Sequence, residues 1–265
     1  RGNKSQFAST QEHRQRIVNL IKDYRTLLGQ GVVARFDPET YSDAVAFARI
    51  GEGSLGGKAR GLAFMNSMIL KHRLYDKHAN VRIMIPRSVV IATDYFDDFI
   101  RLNGLKYIIS QEFSDEEILS EFVSSTVPAR LQQELKAYIQ TVRTPLAVRS
   151  SSKLEDSHYQ PFAGIYSTYM IPYVDNGDQM LRLLLKAVKS VYASVYFATS
   201  RAYLSSSQNL ISEEKMAVII QEVCGTEQDG LFFPTFSGVA RSINYYPIGD
   251  EAPADGVCNI AMGLG

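Results

Sequence analysis

Tryptophan is absent from the 265 residues, cysteine occurs twice, and the charges cancel, with 28 Lys and Arg against 28 Asp and Glu. Two cysteines, Cys224 and Cys258, cannot build a disulfide framework or a cysteine zinc site. A reducing compartment is therefore expected, and the cytoplasm is the assigned location. Without net charge there is no general field to draw in nucleic acid or an acidic membrane, which leaves room for a local basic groove only. No apolar run approaches the roughly 18 residues of a spanning helix, and the N-terminus lacks a basic-then-apolar secretion pattern. The histidines, His13, His72, His78 and His158, show no metal-ligand spacing, and no Ser-His-Asp grouping is readable.

What is present is the composition of an ordinary globular protein, 45% apolar and 11% aromatic. A chain of this length buries about 70–75% of its unfolded surface, enough for one large core or two smaller ones joined by a hinge. It begins at Arg1 and stops on Gly263-Leu264-Gly265, so a piece of a longer protein is expected. Apolar positions from Ile17 to Leu28 predict a helix stopped by Gly29, and residues 41–49 a second short one. Strands are expected at Val81–Ile85, Ser88–Ala92, Leu146–Arg149, Ile165–Ile171, Met216–Val223, Ser237–Tyr246 and Val257–Met262. Helices are expected at Asp94–Leu102, after Ser114, and from Pro128 to about Arg143. Leu181, Leu184, Val188, Val191, Val195, Ala198 and Ala202 step by three and four, the stripe of a structural core helix. Helices early and strands late predict an α+β or mixed α/β class.

Two segments carry candidate chemistry. Gly51-Glu-Gly-Ser-Leu-Gly-Gly-Lys58 is a glycine-dense loop running into a helix, which suits phosphate if its backbone N–H groups are unobstructed. It is no Walker loop, because Glu52 and Ala59 occupy the positions of the motif's first glycine and its hydroxyl residue. A tight turn with a surface lysine remains the plain alternative. The second segment, Leu146-Ala-Val-Arg149-Ser-Ser-Ser-Lys-Leu-Glu155-Asp156, delivers an arginine into a serine-rich turn and then two carboxylates. Its guanidinium fork suits bidentate phosphate contact, or else pairs with Glu155 or Asp156.

These segments follow one another in a specific order. Leu55-Gly-Gly-Lys58-Ala-Arg-Gly-Leu62, Ile85-Pro-Arg-Ser-Val-Val-Ile-Ala-Thr93, Ala147-Val-Arg149-Ser-Ser and Phe162-Ala-Gly164 come first. Val191-Tyr-Ala-Ser-Val-Tyr, Ala217-Val-Ile-Ile-Gln221, Ser237-Gly-Val-Ala240 and Gly263-Leu-Gly265 complete the series. Together they resemble the opening of the phosphoenolpyruvate synthase and pyruvate phosphate dikinase family, from residue 54 to 265; residues 1–50 carry no such pattern. The resemblance implies an ATP-grasp-like, two-lobed nucleotide-binding fold, incomplete at the C-terminus. Its parts would be a helical extension (1–50), a mixed first subdomain (51–144) and an ATP-grasp lobe portion (145–265).

By the same resemblance, Lys58 and Arg149 contact the triphosphate, Gly164 and Thr168 lie along the phosphates, and Gln221 sits in the strand lining the adenine pocket. ATP and Mg2+ are the implied cofactors, the metal's ligands lying beyond Gly265. The implied reaction passes a phosphoryl group from ATP to a histidine on a downstream swivelling domain, then to an acceptor, with pyruvate leading. The 265 residues alone are then expected to show no turnover. Partners would be those downstream domains, without nucleic acid or membrane, and with a homodimer left open. The alternative is a non-catalytic nucleotide-sensing or scaffold module. Ile165, Tyr166 and Ser167, together with Arg241, depart from the family pattern and favour that alternative, while Lys58 and Arg149 oppose it.

Overall fold

A computed structural model describes residues 33–39, 41, 45–109, 111–152, 164–206 and 214–264, with the single positions Arg14 and Ile17. Residues 18–28 of the first expected helix, residues 42–44 of the helix expected at 41–49, the Glu155–Asp156 pair, His158 and Phe162 lie outside the described residues. The chain divides into two compact units, Arg1–Glu222 and Val223–Gly265.

The first unit is built on a six-stranded mixed sheet in the order β1-β2-β3-β6-β4-β5. Its strands are β1 (Ala34–Arg35), β2 (Phe47–Ile50), β3 (Ser88–Ile91), β4 (Leu146–Ser152), β5 (Thr168–Ile171) and β6 (Met216–Glu222). β1, β2 and β3 run parallel, while β6 is antiparallel to β3 and β4, and β5 antiparallel to β4. Directly paired residues share a face and successive residues alternate faces, so the register sorts every side chain. One face carries Ala48, Ile50, Val89, Ile91, Val218, Ile220, Leu146, Val148 and Ile171 into the main core.

Four helices cover that face: α2 (Thr93–Leu102), α3 (Asp115–Ser124), α4 (Ala129–Ile139) and α5 (Gly177–Ala193). They contribute Phe96 and Phe99, Ile118 and Phe122, Leu131 and Leu135, and Leu184, Val188 and Val191. On the opposite face, α1 (Gly56–Lys71) lays Ala59, Leu62 and Ala63 over Phe47, Val90, Ala217 and Ile219. β3 and β6 are thus buried on both sides, which is why both read as continuous apolar runs.

Several expectations are corrected. Phe47–Ile50 is a strand and not the end of a helix, because Phe47 and Ile50 bury into opposite faces of the sheet. Of the strand expected at Val81–Ile85 only an isolated bridge between Val81 and His78 forms; Val81 and Met84 are exposed, and Pro86 has no N–H for a ladder. The long helical stripe breaks after Ala193. Ser194 Oγ donates to the Val191 carbonyl, Ser200 Oγ to the Ser194 carbonyl, and Phe197 is extended. Helix α6 (Ala198–Ser206) then starts afresh with its Ala198 N–H donated to Asp115 Oδ1 at 2.8 Å, leaving Ala198 and Ala202 exposed. Ser114 caps α3 in a reciprocal box with Glu117, as its position before the acidic run predicts.

The second unit holds two hairpins. β7 (Thr226–Gln228) and β8 (Leu231–Phe233) are joined by Asp229-Gly230, both at positive φ. β9 (Phe236–Arg241) pairs antiparallel with β10 (Val257–Met262). The strand expected to reach Tyr246 stops at Arg241, since Asn244 accepts from the Tyr246 N–H and donates to Glu251, turning the chain. Cys224 and Cys258 are exposed and no disulfide joins them. Among the described residues no helix is long and apolar enough to cross a membrane.

Candidate functional site

The glycine loop is fastened at both ends. Its first half docks on the N-terminus of α2. Asp94 accepts from the Glu52 and Gly53 N–H groups at 2.9 and 3.1 Å, and Thr93 Oγ1 from that of Ser54 at 3.0 Å. Its second half docks on β4, where Ser151 Oγ accepts from the Ala59 N–H at 3.0 Å and donates to the Leu55 carbonyl at 2.8 Å. Gly56 lies at φ +69°, and a Cβ there would stand 1.8 Å from the Ser151 carbonyl oxygen. The glycines therefore let the loop touch its supports. The expectation of unobstructed amides is corrected: those of Glu52, Gly53, Ser54, Gly56 and Ala59 are donated to protein oxygens.

What this fastening delivers is Lys58. From the first turn of α1, its ammonium donates to Ser150 Oγ at 3.0 Å. Ser150 follows Arg149 directly in β4 but pairs with Val218 on the main-core face, whereas Arg149 pairs with Ile219 on the face that α1 covers, so the contact is with the neighbour of Arg149 and not with its face. The serines are also not a turn. Ser150, Ser151 and Ser152 continue β4 opposite Val218, Ala217 and Met216 and are fully buried. Hydroxyls with partners fill interior strand positions without penalty, which the run of polar residues concealed.

Arg149 leaves the sheet on the side of α1, beside that helix's footprint. It pairs with Ile219 across β6 and with Thr168 across β5, so Thr168 shares its face. Thr168 and Met170 are exposed on this strip, an open piece of sheet next to the guanidinium. Gly164 stands in the turn ahead of β5 at φ +81°, with open space where a side chain would be. Arg149 Nη1 donates to Gln221 Oε1 at 3.2 Å, and Gln221 is buried and donates onward to Ser88 Oγ at 3.2 Å. Arg149, Thr168 and Gln221 thus share one face of the sheet, while Ser150, the partner of Lys58, alternates onto the other.

Thr93 and Asp94 read in the sequence only as a helix start and Ser88 as the first residue of a strand; their bonds to the loop and to Gln221 come from distant partners. A helix-start aspartate and a strand serine look like capping and chance until the register places them. The guanidinium of Arg149 and the ammonium of Lys58 are groups whose chemistry suits anions, and Arg149 stands beside an exposed strip of sheet at Thr168 and Met170. Nucleotide phosphates fit such groups. Among the described residues no three His, Cys, Asp or Glu side chains cluster to hold a metal. Of the described acids near the loop, Asp94 is committed to the loop amides and Glu52 to Arg49 at 2.7 Å.

Comparison with known proteins gives this set a context. A family model described as the pyruvate phosphate dikinase AMP/ATP-binding domain matches residues 52–265. Over 193 residues the chain is 28% identical to the uncharacterized phosphotransferase YvkC of Bacillus subtilis (strain 168), covering 72% of this chain and 20% of that protein. Over 200 residues it is 24% identical to the phosphoenolpyruvate synthase of Aeropyrum pernix, covering 68% of this chain and 22% of that enzyme. The chain spans about a fifth of the length of these curated relatives. With its loop-borne lysine and strand-borne arginine inside the matched region, the chain belongs to the pyruvate phosphate dikinase AMP/ATP-binding domain family.

Proposed function

We propose that this chain is the ATP-binding part of a dikinase-type phosphotransferase with an ATP-grasp-like fold. Lys58 and Arg149 hold the polyphosphate, and Gly164 and Thr168 line its path. The observation that supports this reading is Arg149 on the α1 side of the sheet beside the exposed Thr168, with Lys58 held from the first turn of α1 against Ser150, the next residue of β4. Phosphoryl transfer depends on positioning and charge neutralisation, and a pair of cations pre-set by the fold supplies both. In the whole protein the phosphoryl group passes to a histidine on a swivelling domain and then to an acceptor, with pyruvate favoured by the likeness to a phosphoenolpyruvate synthase. Magnesium arrives with the nucleotide, its protein ligands lying outside this chain, so the 265 residues bind and align ATP without turning it over. A cytoplasmic setting suits the exposed thiols.

Thermal unfolding with and without Mg-ATP tests the reading. A ligand at a hundred times its Kd adds about 2.7 kcal/mol, a rise of about 5–10 °C for a domain of this size. Lys58→Ala and Arg149→Ala should each weaken ATP about 10- to 100-fold while leaving the unliganded melt within a few degrees. A large fall in the unliganded melting temperature for both would make them structural residues instead.

A further inference from the structure

Gln221 has both ends of its amide engaged within the sheet. Arg149 Nη1 donates to Oε1, Nε2 donates to Ser88 Oγ, and Ser88 Oγ donates to the Pro86 carbonyl at 2.9 Å. We propose that Ser88 and Gln221 are positioning residues that aim Arg149 at the phosphates, and that Gln221 serves the guanidinium and not the base. This deepens the ATP-site reading and rests on it.

Donor and acceptor chemistry makes the chain one-directional. A guanidinium only donates and a carbonyl oxygen only accepts. The single proton of Ser88 is given to Pro86, so Ser88 presents a lone pair to Gln221. That lone pair takes the NH2 end of the amide, which leaves Oε1 facing Arg149. Turning the amide over would set NH2 against the guanidinium, donor to donor, so both fixed ends select the same orientation.

The sheet register brings the three groups within reach. Ser88 lies directly opposite Gln221, and Gln221 opposite Ala147, two residues from Arg149 on the same face. Arg149 therefore meets Gln221 along a diagonal that a long side chain spans. Ser88 is fully buried and Gln221 is 9% exposed, so water does not compete well for either bond. An arginine held by one nitrogen before ligand arrives loses less freedom when its remaining donors close on an anion.

Calorimetric titration of ATP into the full-length protein reads the relay. Ser88→Ala should weaken ATP about fivefold, and Ser88→Thr, which keeps the hydroxyl, should restore it. In an Arg149→Met background, Ser88→Ala should cause no further loss, because the effect travels through the guanidinium. Unchanged affinity in Ser88→Ala, while Arg149→Met weakens binding, overturns the relay and spares the site. A loss that persists in the Arg149→Met background also overturns it, placing Gln221 on another part of the nucleotide. If the parent protein binds no ATP, or Arg149→Met leaves affinity intact, the site reading falls and the relay with it. Should Ser88→Ala fail to fold, Gln221→Met carries the same expectations, and unchanged affinity there overturns the relay.

Discussion

Replacing Gly56 by alanine puts the docking of the glycine loop under direct strain. The residue sits at φ +69°, where a side chain costs about 1–2 kcal/mol. Its new methyl would lie 1.8 Å from the Ser151 carbonyl oxygen, a backbone atom that cannot swing aside. The loop must therefore retreat, breaking the bonds that Ser151 Oγ makes with the Ala59 N–H and the Leu55 carbonyl. Ser151 is fully buried, so losing these partners costs about 1–3 kcal/mol more. The sum, about 2–5 kcal/mol, lowers the melting temperature by about 5–15 °C. Differential scanning calorimetry of Gly56→Ala beside Gly61→Ala makes the comparison. Gly61 lies in α1 with nothing within 4 Å of the added carbon, so its substitution should stabilise by about 0.5–1 kcal/mol. Equal melting of Gly56→Ala and parent, or a fall in Gly61→Ala as large as in Gly56→Ala, would refute the reasoning.

At the far end of β6, Arg87 bonds Glu222 Oε1 through Nε at 2.6 Å and gives Nη2 to the Thr141 carbonyl at 3.1 Å, with only 11% and 16% of the paired side chains exposed. Glu222→Ala should cost about 3 kcal/mol in urea unfolding, and Arg87→Met with Glu222→Leu should recover most of it. Ser114→Ala removes the α3 cap and should cost about 1 kcal/mol by the same measurement. Bonds from the Ser114 backbone and hydroxyl hold the Glu117 carboxyl below its ordinary value. Its contribution is complete above the ordinary carboxylate range and fades as pH falls through the depressed value. Glu117→Gln should therefore flatten the acid limb of melting temperature against pH, and an unchanged acid limb would contradict the assignment.

Elements with a strong local signal could be read from the chain alone. The apolar runs of β3 and β6, the Ser114 cap and the first turns of the Leu181–Val191 stripe depend on neighbours a few residues away. The errors came where a distant partner decides. Ser150–Ser152 look like a turn because they are polar, yet Leu55 and Ala59, almost a hundred positions earlier, satisfy the Ser151 hydroxyl. The loop amides look available until Asp94, 42 and 41 positions further along at the start of α2, takes two of them. Lys58 and Arg149 stood out by residue type and order, whereas Ser88 became visible only through the pairing of β3 with β6.

The tethering of the loop also decides which atoms greet an incoming anion. With Asp94 already seated on two amides, an internal carboxylate holds the place that phosphate takes in an open cradle. Recognition then passes from main chain to side chain, and the segment acts as a jig that presents one ammonium at a set height above the strand. Its accuracy is inherited from the folded body it is clamped to.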